Sequence, residues 1–229
     1  MSPHPLTRPN AVAHTASKRP ETTNTNHAIP VHSPLTSFPE IRQWVKRILA
    51  AMVSQSEQVA EFRTVFRHHP AGVALITATV EDQPVGLILS SLSSLAIDPM
   101  AVSFSLAKST GRAGAILRAE SCLVHFLGPD QIDLAREFAA GDGRHFTDDQ
   151  GWTTAPTGEP LLAEAPAVFR VRPVGTVPVG PATLVAAEVD EVTASPEMLA
   201  GDLPRLLYVD RTFYLRPGGT PGSPTPDEA

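Results

Sequence analysis

The sequence contains little cysteine, little charge and few aromatic residues, and these shortages exclude several classes of protein. Cys122 is the only cysteine among 229 residues, so no intramolecular disulfide can form and a reducing cytoplasm is the expected compartment. Charged residues make up 18% of the chain, and 24 acidic against 18 basic side chains give a net charge of −6. A nucleic-acid binder needs a basic face for phosphates, so this balance argues against nucleic acid as a partner.

Long hydrophobic runs are missing too. The apolar runs have the length of strands, well short of the roughly 20 residues that a membrane-spanning helix needs. The first residues contain no apolar segment followed by a small-residue cleavage site, so no signal peptide is expected. We therefore predict a chain without a membrane partner.

Several sequence motifs of known chemistry are also absent. The chain has no GxGxxG or GxxxxGK[ST] motif for phosphates, no CxxC or HExxH motif for metals, and no GxSxG motif of a hydrolase. His68 and His69 are adjacent, so their side chains diverge on a helix or a strand, and no metal site is predicted. No residue stands out as a catalytic acid, base or nucleophile. Cys122 lies in an apolar run and is interpreted as a packed thiol.

The ends of the chain differ in composition from its centre. Residues 1–36 are rich in Pro, Thr, Asn, Ser and His, and residues 217–229 are rich in Pro and Gly; both are poor in large apolar side chains and are predicted to be disordered. A helical extension is predicted over 37–60, because Ser37 and Glu40 have the spacing of a capping box before an amphipathic run from Ile41 to Val53. Ser54 and Glu57 repeat that signal and predict a second helix that reaches His68.

The amphipathic extension has two interpretations. It could bind a partner or a membrane surface, or it could pack on its own barrel or across a dimer. The second interpretation is favoured because the run is short and contains one Trp.

The centre of the chain changes to the pattern of strands. Helices are predicted near 112–118 and over 131–139, and a polar loop over 141–159. The predicted strands are Val73–Val80, Pro84–Leu89, Met100–Leu106, Ser121–Phe126, Val168–Val174, Thr183–Val192 and Leu206–Tyr214. The first two should pair as a hairpin around residues 81–83. These elements predict a mainly β (α+β) domain, a barrel with a few peripheral helices.

A serine cluster between two apolar runs is the most informative segment. Ser90, Ser91, Ser93 and Ser94 follow the run that ends at Leu89. Short hydroxyls next to backbone N–H groups suit a polar, anionic ligand such as a phosphate or the oxygens of a flavin. An ordinary polar loop between two strands is the alternative.

Several short segments occur in an order that is typical of one family. They are Glu61-Phe-Arg63, Ala71–Thr77, the serine cluster, Met100–Leu106, Lys108-Ser-Thr-Gly-Arg112, Ala135-Arg-Glu-Phe138, Arg144-His-Phe146, Gly158–Leu162 and Leu206-Leu-Tyr208. Residues 61–216 thereby resemble the flavin reductase family, small FMN- or FAD-binding split β-barrels that use NADH or NADPH. The N-terminal helix lies outside this resemblance.

The resemblance implies a set of flavin-binding residues. The segment from Ile88 to Leu95 would run beside the flavin ring and its ribityl chain, and Lys108–Arg112 would receive the phosphate. Lys108–Arg112 is otherwise an ordinary turn and helix start, with Ser109 or Thr110 as the N-cap. The implied cofactor-binding residues are Ile88, Leu89, Ser90, Ser91, Ser94, Leu95, Lys108, Ser109, Thr110, Arg112 and Phe146.

The resemblance also implies an activity, and the sequence departs from the family at several points, among them Ile88 and Ala96, where members usually carry a threonine and a serine. The expected reaction is NAD(P)H-dependent reduction of FMN or FAD in a homodimer, with the reduced flavin supplied to a partner monooxygenase. Gly180-Pro-Ala-Thr-Leu184 stands where many members have Gly-Asp-His-Thr-Leu, so Ala182 replaces a histidine on the nicotinamide side of the pocket. Two alternatives therefore stay open: a flavin-binding protein without reductase activity, and a flavoenzyme with bound FMN that acts on another substrate.

Overall fold

The computed structural model describes residues 39–218, which form mostly strands. The helices are α1 (Pro39–His68), α2 (Gly111–Arg118), α3 (Ile132–Ala139) and α4 (Pro196–Ala200). The strands are β1 (Ala71–Gly72), β2 (Ala74–Val80), β3 (Gln83–Leu89), β4 (Ser93–Ile97), β5 (Met100–Leu106), β6 (Cys122–Phe126), β7 (Trp152–Thr154), β8 (Pro160–Leu162), β9 (Ala167–Val179), β10 (Ala182–Ala194), β11 (Arg205–Val209) and β12 (Thr212–Arg216). The predicted disordered segments lie outside the described residues, except for Pro217 and Gly218.

Seven of these strands form one antiparallel sheet with the order β3-β2-β6-β9-β10-β5-β4. Side chains from both halves of the sheet, such as Ile76 of β2 and Phe104 of β5, belong to one buried cluster. The sheet is therefore rolled around a common core, whereas its edge strands β3 and β4 do not pair with each other. This architecture confirms the predicted mainly β split barrel.

The side chains of β2 alternate between two buried clusters. Ala74, Ile76 and Ala78 face the barrel interior, and Leu75 faces a second buried cluster on the outside of the sheet. Phe138 of α3 and Leu162 of β8 belong to that second cluster. Because successive strand residues point to opposite faces, one apolar strand holds the barrel and its covering elements together.

Two tight turns differ in how well the sequence predicts them. The β2–β3 hairpin was expected and turns at Glu81 and Asp82, with φ of 53° and 59°. The single strand predicted over Leu206–Tyr214 is wrong, because the chain reverses at Asp210 and Arg211 to form the β11–β12 hairpin. Neither Asp210 nor Arg211 is glycine or asparagine, so the usual sequence signal of a two-residue hairpin is absent there.

The prediction of two N-terminal helices is also wrong. A single helix, α1, runs from Pro39 to His68, and Ser54 lies inside it rather than at a cap. No Pro or Gly occurs between residues 40 and 69, so nothing in the sequence ends the helix there. Every residue of α1 is exposed. The chain divides into two units between Ser54 and Gln55, and the barrel belongs to the second.

Parts of two predicted loops are strands. Trp152–Thr154, inside the loop expected over 141–159, pairs with Pro160–Leu162. The Thr77 hydroxyl donates to the Pro160 carbonyl at 2.7 Å, and the Thr79 hydroxyl donates to the Gly158 carbonyl at 2.7 Å. These long-range contacts fix the segment and have no local sequence signal. Ser93 and Ser94 belong to β4, so the polar-loop interpretation of the serine cluster holds only before Ser93.

Candidate functional site

A cleft of about 720 Å³ lies where β3 and β5 end and α2 begins. Its volume is within the roughly 300–1,000 Å³ that small-molecule sites occupy. Six of the predicted site residues line it: Ile88, Leu89, Ser90, Ser91, Lys108 and Arg112. Residues that are distant in the sequence complete the wall, including Phe138, Ala182, Tyr208 and Phe213.

The two adjacent serines in this cleft have different environments. The Ser91 hydroxyl accepts a hydrogen bond from Ser105 N–H at 2.9 Å and donates to Ser105 C=O at 3.2 Å. It therefore bridges the barrel's opening between β3 and β5. Ser90 is exposed and its hydroxyl has no hydrogen-bond partner within residues 39–218. Ser90 is thus the serine that can turn its hydroxyl to a ligand.

The start of α2 gives one end of the cleft a positive character. Thr110 is the N-cap residue, but its side chain makes no capping hydrogen bond, and the hydroxyls of Ser109 and Thr110 have no partner among the described residues. Lys108 and Arg112 flank these hydroxyls. The first N–H groups of a helix and its dipole favour an anion at this position.

A glycine keeps this turn close to the helix. A Cβ atom on Gly114 would lie 2.4 Å from the Ser109 carbonyl oxygen. The backbone of Ser109 therefore packs against α2 only because residue 114 has no side chain. The tight packing fixes the position of Ser109 and Thr110 relative to Lys108 and Arg112.

One nitrogen of the Arg112 guanidinium is anchored to the protein. Nη1 donates to His145 Nε2 at 2.8 Å and lies 3.4 Å and 3.5 Å from the carbonyl oxygens of Gly86 and Phe138. Burial, with the charge of Arg112, lowers the pKa of His145, so this imidazole stays neutral and accepts the hydrogen bond. The anchoring orients a half-buried cation at the edge of the cleft.

Ser109 and Thr110 follow Lys108 but do not belong to the cleft lining, and the remaining predicted residues lie elsewhere. Phe146 does not line the cleft but packs behind it, with its ring centroid 5.2 Å from that of Phe138. A Cβ atom on Gly86 would lie 2.8 Å from Phe138 and 3.0 Å from Phe146, so this glycine allows both rings to approach β3. Ser94 lines a separate apolar cavity of about 380 Å³, and Leu95 is exposed on β4. Neither is brought to the cleft.

The cleft contains aromatic residues that were not assigned to the site from the sequence. Tyr208 and Phe213 are cross-strand neighbours on β11 and β12, and their ring centroids are 5.0 Å apart. Phe138 ends α3. Tyr208 and Phe138 occur in segments that carry the family resemblance, which was the available signal. Phe213 follows a turn that the sequence does not predict.

Buried polar groups outside the cleft do not form a second active site. His125 Nδ1–H donates to Leu75 C=O at 3.1 Å, and Nε2 accepts from Leu162 N–H at 3.2 Å. Burial lowers the pKa of His125 to about 4, so the ring is neutral. Burial, with the nearby Glu159, raises the pKa of Cys122 to about 12, which confirms the interpretation of a packed thiol.

Within residues 39–218, no three His, Cys, Asp or Glu side chains are grouped in a way that could hold a metal ion. None of the helices in this range is long and apolar enough to cross a membrane.

Known proteins are similar to this chain in sequence and in architecture. Two curated relatives are an NADH:FMN oxidoreductase of Rhodococcus qingshengii, 36% identical over 67% of this chain and 80% of its own length, and a Rhodococcus opacus protein, 34% identical over 62% and 76%. The second is named as the reductase component of a 4-nitrophenol 4-monooxygenase/4-nitrocatechol 2-monooxygenase. A solved flavin reductase domain protein from Arthrobacter sp. FB24 superimposes with a TM-score of 0.62 at 28% identity, over 69% of this chain and 94% of that one.

A family profile covers most of the barrel. The profile described as "Flavin reductase like domain" matches residues 66–215, which include every segment that lines the cleft. With the relatives and the shared architecture, this match shows that the chain belongs to the flavin reductase like domain family.

Proposed function

We propose that this protein is an NAD(P)H:flavin oxidoreductase that reduces FMN or FAD in the cleft beside α2. The observation that carries this function is the position of Lys108 and Arg112 at one end of a cleft whose remaining wall is largely apolar, with the unpartnered hydroxyls of Ser109 and Thr110 between them in the sequence. The relative named NADH:FMN oxidoreductase supports the reaction. The relative named as a monooxygenase reductase component supports a role in supplying reduced flavin to a partner monooxygenase.

The residues of the cleft fit a flavin in shape and in chemistry. A flavin has a flat, largely apolar ring system at one end and a phosphate at the other. Ile88 and Leu89 provide apolar surface for the ring, and Ser90 provides a hydroxyl. Lys108, Ser109, Thr110 and the free part of Arg112 would hold the phosphate through charge-assisted hydrogen bonds. The hydroxyls of Ser109 and Thr110 and the ammonium group of Lys108 have no partner among the described residues, so they are available to a phosphate.

The protein's contribution to the reaction is position and electrostatics. A bound flavin supplies hydride acceptance at its own ring, so no acid–base pair is required from the chain. Arg112 keeps its orientation through His145, and Phe138 and Tyr208 limit the access of water to the apolar part of the cleft. This division of labour is consistent with a cleft whose described lining contains no carboxylate, histidine or cysteine.

Ala182 marks the expected side of the electron donor. It lines the cleft at the start of β10 and brings no polar atom where many family members carry histidine. Binding of the nicotinamide would therefore depend on ring stacking and on the remaining polar groups. Reductase activity does not require the histidine if the protein's role is to position two rings.

We also propose a homodimer as the working form in the cytoplasm. Support comes from exposed apolar side chains on paired strands: Val177 opposite Leu184, and Ile97 opposite Met100. Exposed apolar patches of this kind mark protein interfaces. The buried state of the lone Cys122 is compatible with a reducing compartment. Analytical ultracentrifugation would show a mass near twice that of the chain, and a monomer at micromolar concentration would reject the dimer.

The function is tested by following the oxidation of NADH and NADPH at 340 nm with FMN, FAD or no added flavin. We expect turnover that depends on added flavin, and the better donor and flavin define the specificity. Flavin binding without oxidation of either donor would instead support a flavin-binding protein without reductase activity. Flavin retained through gel filtration and not reduced by either donor would support a flavoenzyme with another substrate.

A further inference from the structure

A second cavity, of about 740 Å³, adjoins the flavin cleft. The two cavities share Ser90, Ser91, Ser105 and Tyr208 in their walls. The far wall of the second cavity consists of the end of α1 and the tip of the β11–β12 hairpin. A ligand seated in the cleft could therefore extend past Tyr208 into this space.

Uncompensated positive charge surrounds the second cavity. Arg63, Arg67 and Arg211 line it, and among residues 39–218 no carboxylate lies within 4.0 Å of their side chains. No Asp or Glu belongs to the described lining.

Arginines on the outside of the barrel behave differently. Arg170 lies 3.8 Å from Asp190 and 3.4 Å from Glu191, and Arg172 lies 3.2 Å from Glu188 and 3.3 Å from Asp190. In a chain with a net charge of −6, three unpaired arginines around one cavity indicate an anionic ligand.

The hairpin tip that carries Arg211 is held against α1. Asp210 N–H donates to the Arg67 carbonyl at 2.8 Å, and the Asp210 carboxylate lies 3.2 Å from His68 Nε2. Asp210 and Arg211 have φ of 50° and 61°, a conformation that costs energy for residues other than glycine. The protein therefore maintains a strained turn that places Arg211 in the wall of the same cavity as Arg63 and Arg67.

Two exposed aromatic rings complete the cavity. Phe62 and Phe66 are 64% and 60% exposed, and their ring centroids lie 4.8 Å apart. A free phosphate would gain nothing from these rings, whereas a nucleobase stacks on aromatic side chains. Arginines next to exposed phenylalanines thus match a ligand with both a base and a phosphate.

We propose that this second cavity binds the adenosine phosphate half of a dinucleotide whose other half occupies the flavin cleft. The inference rests on the proposed function and adds to it a subsite and the residues that recognise the ligand. FAD and NAD(P)H both carry an adenosine diphosphate group, so the shared chemistry is that of 5′-ADP. Arg63, Arg67 and Arg211 hold the phosphates, and Phe62 and Phe66 hold the adenine.

The test uses 5′-ADP as the probe, with the full chain in the presence of saturating FMN so that the flavin cleft is filled. Isothermal titration compares the wild type with Arg63→Gln and Arg211→Asn, since Asn tolerates the left-handed turn conformation. Each variant should weaken ADP binding about tenfold or more, because a charge-assisted contact is lost. Arg216→Gln is the matched control, since it removes an arginine at the opposite end of the same hairpin and should leave ADP binding unchanged.

Two further arms identify the source of the adenosine phosphate. If FAD is the source, the variants raise the Kd of FAD about tenfold and leave that of FMN unchanged. If the electron donor is the source, they raise the KM of NADH and leave that of reduced nicotinamide mononucleotide unchanged. Either pattern supports the proposal. FAD and FMN share the flavin half, and NADH and reduced nicotinamide mononucleotide share the nicotinamide half, so only the adenosine phosphate differs within each pair.

The contrary results are distinct from a failure of the proposed function. ADP that does not bind at millimolar concentration, or that binds equally to the wild type and both variants, overturns the adenosine phosphate site even if NADH is oxidised with FMN. Conversely, loss of ADP binding in the variants of a protein that reduces no flavin would support the site and reject the reductase.

Discussion

Polar groups in two regions of the molecule, the covered face of the sheet and the cleft, have opposite environments. On the outside of the sheet, Thr77 and His125 are fully buried, and each donates to a backbone carbonyl of the chain. In the cleft, no described residue engages the Ser90 hydroxyl, and Lys108 has no ion pair among the described residues. The hydroxyls of Ser109 and Thr110, which follow Lys108, are not engaged by any described residue either. Buried polar groups need partners in the folded chain, whereas the exposed hydroxyls and the cation at the cleft are available to a ligand. The contrast separates residues that stabilise the fold from residues that bind.

The largest expected effect is on stability, at His125. His125→Leu leaves the Leu162 N–H without its acceptor and the Leu75 carbonyl without one donor, so we expect a loss of about 2–4 kcal/mol in the free energy of unfolding. Urea denaturation at pH 7 measures this loss. The Kd of FMN should stay within twofold of the wild type, because His125 does not line the cleft.

The same residue predicts a pH dependence. The pKa of His125 is lowered from 6.5 to about 4 in the folded protein, so the unfolded chain binds the proton more tightly. The wild type should therefore lose about 3 kcal/mol of stability as the pH falls from 6.5 to 4. His125→Leu should lack this component of the acid sensitivity. An equal loss in both proteins would show that other groups cause it.

The next effect is on binding, at the positive end of the cleft. Lys108→Ala removes a cation that has no partner in the described chain, so the Kd of FMN should rise about tenfold or more while the melting temperature stays constant. Ser109→Ala combined with Thr110→Ala should raise the Kd several-fold. Fluorescence titration measures both changes.

Lys46→Ala is the control for Lys108→Ala, because Lys46 is the other described lysine and lies on α1 outside the cleft. A melting temperature lowered by Lys108→Ala with an unchanged Kd would place Lys108 among the stabilising residues instead.

The adjacent residues Ser90 and Ser91 allow stabilising and ligand-binding hydroxyls to be compared within one segment. Ser91→Ala removes the bridge to the Ser105 backbone and should cost about 1 kcal/mol of stability. Ser90→Ala should leave stability unchanged and raise the Kd of FMN a few-fold, because this hydroxyl is open to the cleft. Denaturation and flavin titration of both variants check the pair, and equal behaviour of the two would remove the distinction.

The smallest effect is expected at Ala182. Ala182→His adds a hydrogen-bond donor at the mouth of the cleft, worth about 1 kcal/mol, so the KM of NADH should fall a few-fold. The Kd of FMN should not change. Steady-state kinetics with saturating FMN measure the KM, and a KM that rises would mean that the added ring blocks the donor.

The sequence predicts the barrel better than the cleft. Alternating apolar residues located β2, β3, β5 and β10 within a few residues, because each strand buries one face. The β7–β8 pair depends on hydrogen bonds from Thr77 and Thr79, which are far away in the sequence, so local periodicity does not reveal it. The sequence predicts two helices where α1 is continuous, because a serine such as Ser54 resembles a cap but is also compatible with a helix interior.

The site was predictable only where its residues are neighbours in the sequence. Ser90–Ser91 and Lys108–Arg112 form short polar segments, and the family resemblance brought both to notice. The approach of Arg63 to Arg211 depends on the β11–β12 hairpin and its turn without glycine. Such a contact follows from the tertiary structure, and no single segment encodes it.

The most direct test of flavin binding in the cleft is a titration of FMN into protein whose cleft is blocked by a larger side chain. Ala107 lines the cleft, is exposed and carries no charge, so Ala107→Trp blocks the space without removing a polar contact. Ala200→Trp, at the exposed end of α4, is the control. We expect Ala107→Trp to abolish FMN binding and flavin-dependent oxidation of NADH, whereas Ala200→Trp retains both. Wild-type affinity for FMN in a folded Ala107→Trp protein would contradict flavin binding in the cleft.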